Sequence, residues 1–153
     1  MREKDGYSQR ALKINDPYKW KHLAIGYGMV ETSIGQASET ELIRDRKNNI
    51  AITLEKYILT YGMTAEIKQA ILDLESWLRY TLILTKDILP HNIVVSDKDD
   101  RLVLKIVDGL GLKSFLPFAR IHDFFAKRYI EKRIKRMHAR ISSDLSGRKG
   151  NWK

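Results

Sequence analysis

The chain has 153 residues, 43% of them hydrophobic and 31% charged, which is the length of one domain with enough apolar residues to build a core. It has no cysteine, which excludes disulfide scaffolds, thiol nucleophiles and zinc–thiolate sites. No uncharged run exceeds nine residues, too short for a membrane-spanning helix or the apolar core of a typical signal peptide, and a cytoplasmic location is expected. The net charge of +9 is unevenly placed: residues 1–111 hold 16 basic and 16 acidic side chains, whereas residues 112–153 hold 12 and 3. A neutral body with a cationic end suits an acidic partner, such as nucleic acid, an anionic lipid surface or an acidic protein; a solubilising helix face explains it equally well.

In chain order, Asn15-Asp16-Pro17 predicts a turn. His22 to Thr32 reads as a strand with an irregular start at Gly26 and Gly28, Ser33 to Ser38 as a hairpin connection, and Glu39 to Arg44 as the returning strand, followed by a polar turn over Asp45 to Asn49. Thr53 and Gly62 bracket a short helix carrying Leu54, Tyr57, Ile58 and Tyr61. Thr64 caps a longer helix whose Ile67, Ile71, Leu74 and Leu78 form one stripe at helical period. Ile93-Val94-Val95 and Leu102 to Val107 predict a hairpin across a charged turn, with Lys105 interrupting the second apolar run.

Pro117 opens a further helix with two stripes: Phe118, Ile121, Phe125 and Tyr129, then Ile130, Ile134, Met137 and Ile141. At about 100° per residue the stripes are offset by roughly 130°, which predicts a bend near Arg128 to Ile130 or partners on two sides. Fraying is expected from Ser142 onward. Trp20, Trp77, Tyr57, Tyr61 and Tyr80 are expected to anchor the core. His22, His91, His122 and His138 share no metal-ligand spacing and read as surface or packing residues.

The segment richest in chemistry is Thr85 to Asp108. It places Asp87 five residues before Asn92 in a polar loop, then a hairpin, then Asp108 before a Gly-rich turn. A carboxylate can orient an attacking hydroxyl, while an amide oxygen and a second carboxylate can hold magnesium against phosphate oxygens. A turn cap at Asp87, a local loop bond at Asn92 and a hairpin closure at Asp108 account for the same residues without chemistry.

The order D-I-L-P-H-N-I, strand, turn, strand, D-G-L-G resembles the catalytic and metal-binding segment of protein-kinase-like folds. With G-M-V-E-T-S-I-G (Gly28 to Gly35), E-L-I-R-D (Glu41 to Asp45), T-L-E-K-Y-I (Thr53 to Ile58) and the basic region Lys113 to Met137, residues 18–138 resemble one bacterial group, the YrbL family of PhoP regulatory network proteins. The resemblance implies an α+β, partial protein-kinase-like fold. Residues 1–49 would be a residual small lobe with truncated strands and the hinge, 50–141 a mainly helical lobe with a catalytic-type β-hairpin, and 142–153 a flexible basic tail. It implies that Asp87 matches the catalytic aspartate, that Asn92 and Asp108 match magnesium ligands, and that Glu41, Leu42 and Ile43 lie in the hinge whose backbone meets adenine, with ATP and Mg2+ as weakly held cofactors.

The chain departs from the kinase pattern at several points. Thr85-Lys86 stands where kinases commonly have His-Arg, Leu89 replaces a catalytic-loop lysine, and the metal motif reads D-G-L-G. No Gly-rich phosphate loop is present, and only 11 residues separate Lys13 from Ile25, so Tyr7 to Trp20 reads as the end of a helix and Lys13 as not the phosphate lysine. The implied function is a bacterial regulatory protein with its phosphotransfer groups partly retained. The alternatives are an active ATP-dependent phosphotransferase on an unidentified hydroxyl, and a non-enzymatic binding module. The module would use the cluster Lys127, Arg128, Lys132, Arg133, Lys135, Arg136 and Arg140, opposed within its fourteen residues only by Glu131. Open strand edges at Gly26 to Thr32 or Glu39 to Ile43 predict self-association.

Overall fold

A computed structural model describes residues 16–98, 101–108 and 123–147. These form a mixed α+β arrangement of two antiparallel hairpins and three α-helices: β1 (Gly26–Thr32), β2 (Gly35–Thr40), α1 (Leu54–Tyr61), α2 (Ala65–Thr81), β3 (Ile93–Ser96), β4 (Val103–Ile106) and α3 (Asp123–Leu145). Single 3-10 turns occupy Pro17–Trp20 and Pro90–Asn92. The readings that fall on Lys13, Asp99, Asp100, Gly109 to Gly111, Pro117, Phe118, Ile121, His122 and the chain after Gly147 lie outside the described residues.

Both short-range helix signals act as the sequence predicts. The Thr53 hydroxyl accepts from the Lys56 amide at 3.2 Å, and Gly62 ends α1 at φ 74° while its amide bonds the Ile58 carbonyl. The Thr64 hydroxyl accepts from Ile67 N–H, and α2 stops where Leu82 turns left-handed at φ 53°. A β-branch-free but bulky Leu in that conformation costs roughly 1–2 kcal/mol, offset by the packing of its half-buried side chain on the core.

The main core is a contiguous cluster fed by every one of these elements except the first hairpin. Leu54 and Ile58 come from α1, Ile67, Ile71, Leu74, Trp77 and Leu78 from α2, and Ile130, Ile134, Met137 and Ile141 from α3. The β3–β4 hairpin contributes Ile93, Val95, Leu104 and Ile106 to the same cluster. Because strand residues alternate faces, Val94 points the other way, into a second small cluster with Ala24, Ile43 and Ala51. The hairpin is therefore a buried layer with apolar groups on both sides, and its register of Ile93 with Ile106 and Ser96 with Val103 is held by that burial.

Its two edges are closed by His22 to Ala24, the start of the strand expected over His22 to Thr32, and by Ile52-Thr53, which the sequence does not mark as strand. His22 to Ala24 runs parallel to β4: the Ile106 amide donates to the His22 carbonyl at 2.9 Å and the Ala24 amide to the Ile106 carbonyl at 3.0 Å. On the other side the Val95 amide donates to the Ile52 carbonyl at 2.9 Å, and Thr53 bridges Val94. His22 is also pinned by its side chain. Its Nδ1–H donates to the Leu104 carbonyl at 2.7 Å, and its ring lies against Trp77, whose indole N–H donates to the Tyr18 carbonyl.

Several expectations are corrected. The first hairpin turns on two residues, Ser33 and Ile34, and not on the whole of Ser33 to Ser38; β2 begins at Gly35 and ends at Thr40, so Glu41 to Arg44 is not strand. The tight closure follows from Thr32, whose hydroxyl donates to the Gly35 carbonyl, and from Gly35 at φ 115°, a conformation a side chain resists. β1 starts at Gly26, because the preceding His22 to Ala24 is taken up by β4. The described part of Tyr7 to Trp20 is a 3-10 turn capped by the Asp16 carboxylate, not an α-helix end.

The last helix runs through Arg128 to Ile130 without a break. Its second stripe, joined by Ala126, is the buried face, whereas Phe125 is 46% exposed and Tyr129 only half-buried. One stripe suffices because α1 and α2 present their apolar sides to the same seam. The helix also continues past Ser142 to Leu145, with Ser143 and Asp144 buried, so fraying does not begin where the sequence predicts it. Of the five aromatic anchors, Trp77 is fully buried, Trp20 and Tyr57 are half-buried, and Tyr61 and Tyr80 are 61% and 72% exposed.

Two charged networks lock α3 onto the body. Glu75 on α2, only 5% exposed, is bonded by Arg79 at 3.1 Å and by His138 Nε2 at 2.5 Å, and Arg79 reaches on to Glu131. Nearer the end of α3, Arg140 joins Glu55 of α1 at 2.8 Å and Asp144 one turn on at 3.1 Å. A buried carboxylate requires such pairing, because removing one partner leaves an uncompensated charge in a low-dielectric site.

Candidate functional site

The loop after α2 carries Asp87. Thr85, Ile88, Leu89 and Pro90 are buried around it, and Lys86 is exposed. Asp87 is half-buried, and its Oδ1 is enclosed without a hydrogen-bond partner among the described residues. A buried carboxylate oxygen left unsatisfied is costly, and a water or an ion is the kind of partner that satisfies it. The 3-10 turn Pro90–Asn92 follows, closed by the Asn92 amide on the Leu89 carbonyl at 2.8 Å, and it delivers Asn92 to the start of β3.

The hairpin then returns the chain to the same place. Antiparallel pairing sets Ile106 opposite Ile93, and one step further the Val107 amide donates to the Asn92 carbonyl at 3.1 Å. Asn92 and Asp108, sixteen residues apart in sequence, are therefore neighbours at the open end of the hairpin, with Asp108 exposed. Leu89, which stands where the kinase pattern has a lysine, turns into the protein as a 4% exposed side chain. His91 is exposed in the same loop.

An amide oxygen and one carboxylate are hard donors of the kind magnesium accepts when substrate phosphates and water complete its shell. The orphaned Asp87 oxygen fits the same chemistry. Among the described residues no group of three or more His, Asp or Glu side chains converges as a metal site.

The residues expected in a hinge are placed unevenly. The Glu41 amide donates to the Ile25 carbonyl at 2.7 Å and the Glu41 carboxylate accepts from the Ile25 amide at 3.2 Å, so Glu41 staples the end of the first hairpin. Leu42 is 54% exposed, and Ile43 is buried in the small cluster above Val94. This connector therefore lies against the β3–β4 hairpin.

The basic cluster on α3 is divided by the tertiary structure. Lys127, Arg128, Lys132 and Lys135 are exposed, while Arg133 and Arg136 are half-buried. The Arg133 guanidinium stacks 4.7 Å from the Tyr129 ring centre and bonds its hydroxyl. Arg140 leaves the cluster altogether: its side chain is 12% exposed and paired with Glu55 and Asp144. Glu131 is not the sole opposing charge once partners distant in sequence are brought in, and Glu131 itself is engaged by Arg79. That contact holds the Glu131 carboxyl below its ordinary value.

Sequence reading misses His22 as a keystone. Burial pushes its pKa down from 6.5 to about 4, against the raising effect of the Leu104 hydrogen bond and with Lys21 and Lys105 adding to the lowering. No local pattern marks it, since its partners are 55 and 82 residues away.

These features describe a mixed α+β protein whose buried hairpin presents an amide and a carboxylate at one end. The chain belongs to the family of PhoP regulatory network protein YrbL, whose sequence profile matches residues 2–142. The family's description supports a regulatory role. No curated protein matches the chain. Among the described residues no helix is long and apolar enough to cross a membrane.

Proposed function

We propose that this chain is a cytoplasmic regulatory protein with a partial protein-kinase-like fold that binds ATP and Mg2+ weakly through Asp87, Asn92 and Asp108 and transfers phosphate negligibly. The observation that carries the reading is the Val107–Asn92 backbone bond, which sets Asp108 beside Asn92 while Asp87 keeps an unpartnered oxygen nearby in sequence. In this scheme Asn92 and Asp108 would hold the metal, which would supply charge neutralisation at the phosphates, and Asp87 would orient a hydroxyl. Glu41 to Ile43 supply the connector against which adenine rests. Binding is weak because no Gly-rich loop or strand lysine stands in this sequence to clamp the phosphates.

Calorimetry with ATP and Mg2+ tests this. Weak binding, lost in Asp108→Asn, together with negligible turnover, is expected. Robust transfer abolished by Asp87→Asn would establish an active phosphotransferase instead, and nucleotide binding untouched by Asp108→Asn would remove the kinase-like reading of this site.

A second reading is favoured by the exposure of Lys127, Arg128, Lys132 and Lys135 on one helix. In it, α3 meets an acidic partner without base readout, since phosphate contacts carry no sequence information. Equal, steeply salt-dependent binding to two unrelated DNA duplexes is the expected result; a strong preference for one duplex contradicts it.

A further inference from the structure

The turn end of the β3–β4 hairpin separates two clefts of opposite character. Strand alternation sends Val95, Asp97 and Leu102 to one face, where they line a cleft of about 350 Å3 with Asp45, Tyr57 and Tyr61. Its carboxylates are already used. Asp97 is paired with Arg46 at 3.0 Å, and Asp45 accepts from the amide and the side chain of Asn49.

The other face is different. Ser96, Lys98, Val103 and Lys105 line a cleft of about 370 Å3 together with Lys21, Glu41, Ile43 and Arg44. Among the described residues that line it, four cations and one carboxylate leave three net positive charges, counted from the side chains at neutral pH. Among the described residues none of the four cations forms an ion pair. Lys105 donates to the neutral Leu23 carbonyl at 3.2 Å and Arg44 to the neutral Asn48 carbonyl at 2.7 Å. The one carboxylate among the described lining residues, Glu41, is turned to the Ile25 amide.

Lys105 is the most telling of these residues. It interrupts an apolar strand, is half-buried, and sits on the same face as Val94 and the small cluster. Among the described residues its ammonium meets only a carbonyl, and a partly desolvated ammonium sharing a cleft with other cations gains from an anion that joins it. Arg44 still has further N–H donors beyond the one on Asn48, in the planar fork that matches an oxyanion.

We propose that this cleft is a binding site for a small polyanion carrying clustered phosphate or carboxylate groups, held between Lys21 and Lys105 on one side and Arg44 and Lys98 on the other. The volume lies at the small end of ligand pockets, which run about 300–1,000 Å3, so the ligand is a small molecule and not a macromolecular surface. The cleft shares Glu41 and Ile43 with the connector assigned to adenine but none of the metal-site residues: Asp87, Asn92 and Asp108 are not among its described lining residues, and Asn92 and Asp108 stand at the opposite end of the hairpin. Occupancy would tie the connector Glu41 to Arg44 to the hairpin and to the segment before β1, the three parts that meet at this cleft.

The experiment is a titration of the full chain with inorganic pyrophosphate and, separately, with citrate, without magnesium, read by calorimetry and by amide chemical shifts. Saturable binding of at least one anion is expected, with the Glu41, Ser96, Val103 and Lys105 amides shifting together; which anion binds identifies the phosphate or the carboxylate class. Lys105→Met and, separately, the more exposed Lys98→Gln with Arg44→Gln should each weaken binding at least tenfold. Lys105→Arg should retain it. Asn92→Ala with Asp108→Asn should leave it unchanged, which keeps the outcome distinct from that of the nucleotide site. The proposal is overturned if neither anion saturates. It is equally overturned if binding survives in folded Lys98→Gln, Arg44→Gln protein but is lost on changing Lys127, Lys132 and Lys135 to Gln.

Discussion

The two hairpins are alike in topology and opposite in circumstance. Each is a pair of antiparallel strands, yet all four residues of β3 are buried, whereas six of the seven residues of β1 are exposed. Composition explains the difference first. β3 and β4 read I-V-V-S and V-L-K-I, β-branched and apolar on both faces, while β2 reads G-Q-A-S-E-T, which offers no residue large and apolar enough to bury. Edge closure separates them further. β3 and β4 are flanked by Ile52-Thr53 and His22 to Ala24, but among the described residues the β1–β2 ribbon pairs with no further strand. A lone two-stranded ribbon is marginal in water, so β1–β2 is held by its turn, the Glu31–Gln36 bond and the Glu41 staple instead of by a core.

The largest expected effect comes from cutting into the buried hairpin. Leu104→Ala empties a fully buried site in the main core, on the strand that pairs with β3 and packs on α2, and should lower global stability by about 2–5 kcal/mol, read as a shift in the urea midpoint. If the loss is no larger than for the exposed hairpin, the two are not the unequal partners that their burial indicates.

Acid should act on the same hairpin through His22. Its folded pKa is depressed, so the unfolded chain binds the extra proton first. The stability it contributes is complete above pH 6.5 and is lost as pH falls toward 4, by about 3 kcal/mol in all. Urea titrations from pH 7 to 4 measure this. His22→Gln should flatten that part of the pH profile, and an unchanged slope would place the proton elsewhere.

Smaller effects belong to the ribbon. Gly35→Ala must hold a side chain at φ 115° and should destabilise the turn by about 1 kcal/mol, seen as faster amide exchange in β1 and β2 with the global midpoint nearly unmoved. Met29→Ala, at a 45% exposed site, should shift global stability by no more than about 0.5 kcal/mol. The ribbon's exposed Tyr27, Met29, Val30 and Ile34 instead favour association between chains. Sedimentation should show self-association of the parent chain, reduced by Val30→Lys; a monomer at high concentration would mean that this edge is protected.

How far the sequence could be read depended on the range of the forces involved. Helix α1, helix α2 and the β3–β4 hairpin were legible because caps, a helical stripe and a turn between apolar runs all act within a few residues: Thr53, Gly62 and Thr64 do locally what their chemistry dictates. The order Asp87, Asn92, Asp108 was legible as well, since a hairpin necessarily returns Asp108 to Asn92. Tertiary structure decided the rest. It chose one stripe of α3 over the other, because only one side of that helix met α1 and α2. It withdrew Arg140 from the cationic surface, because Glu55 and Asp144 came within reach. It turned His22 into a buried, neutral anchor and gathered Lys21, Arg44, Lys98 and Lys105 around one cleft. Burial and charge pairing are properties of neighbours in space, and neither the 82 residues between His22 and Leu104 nor the 84 between Lys21 and Lys105 leave a periodic trace that local chemistry could reveal.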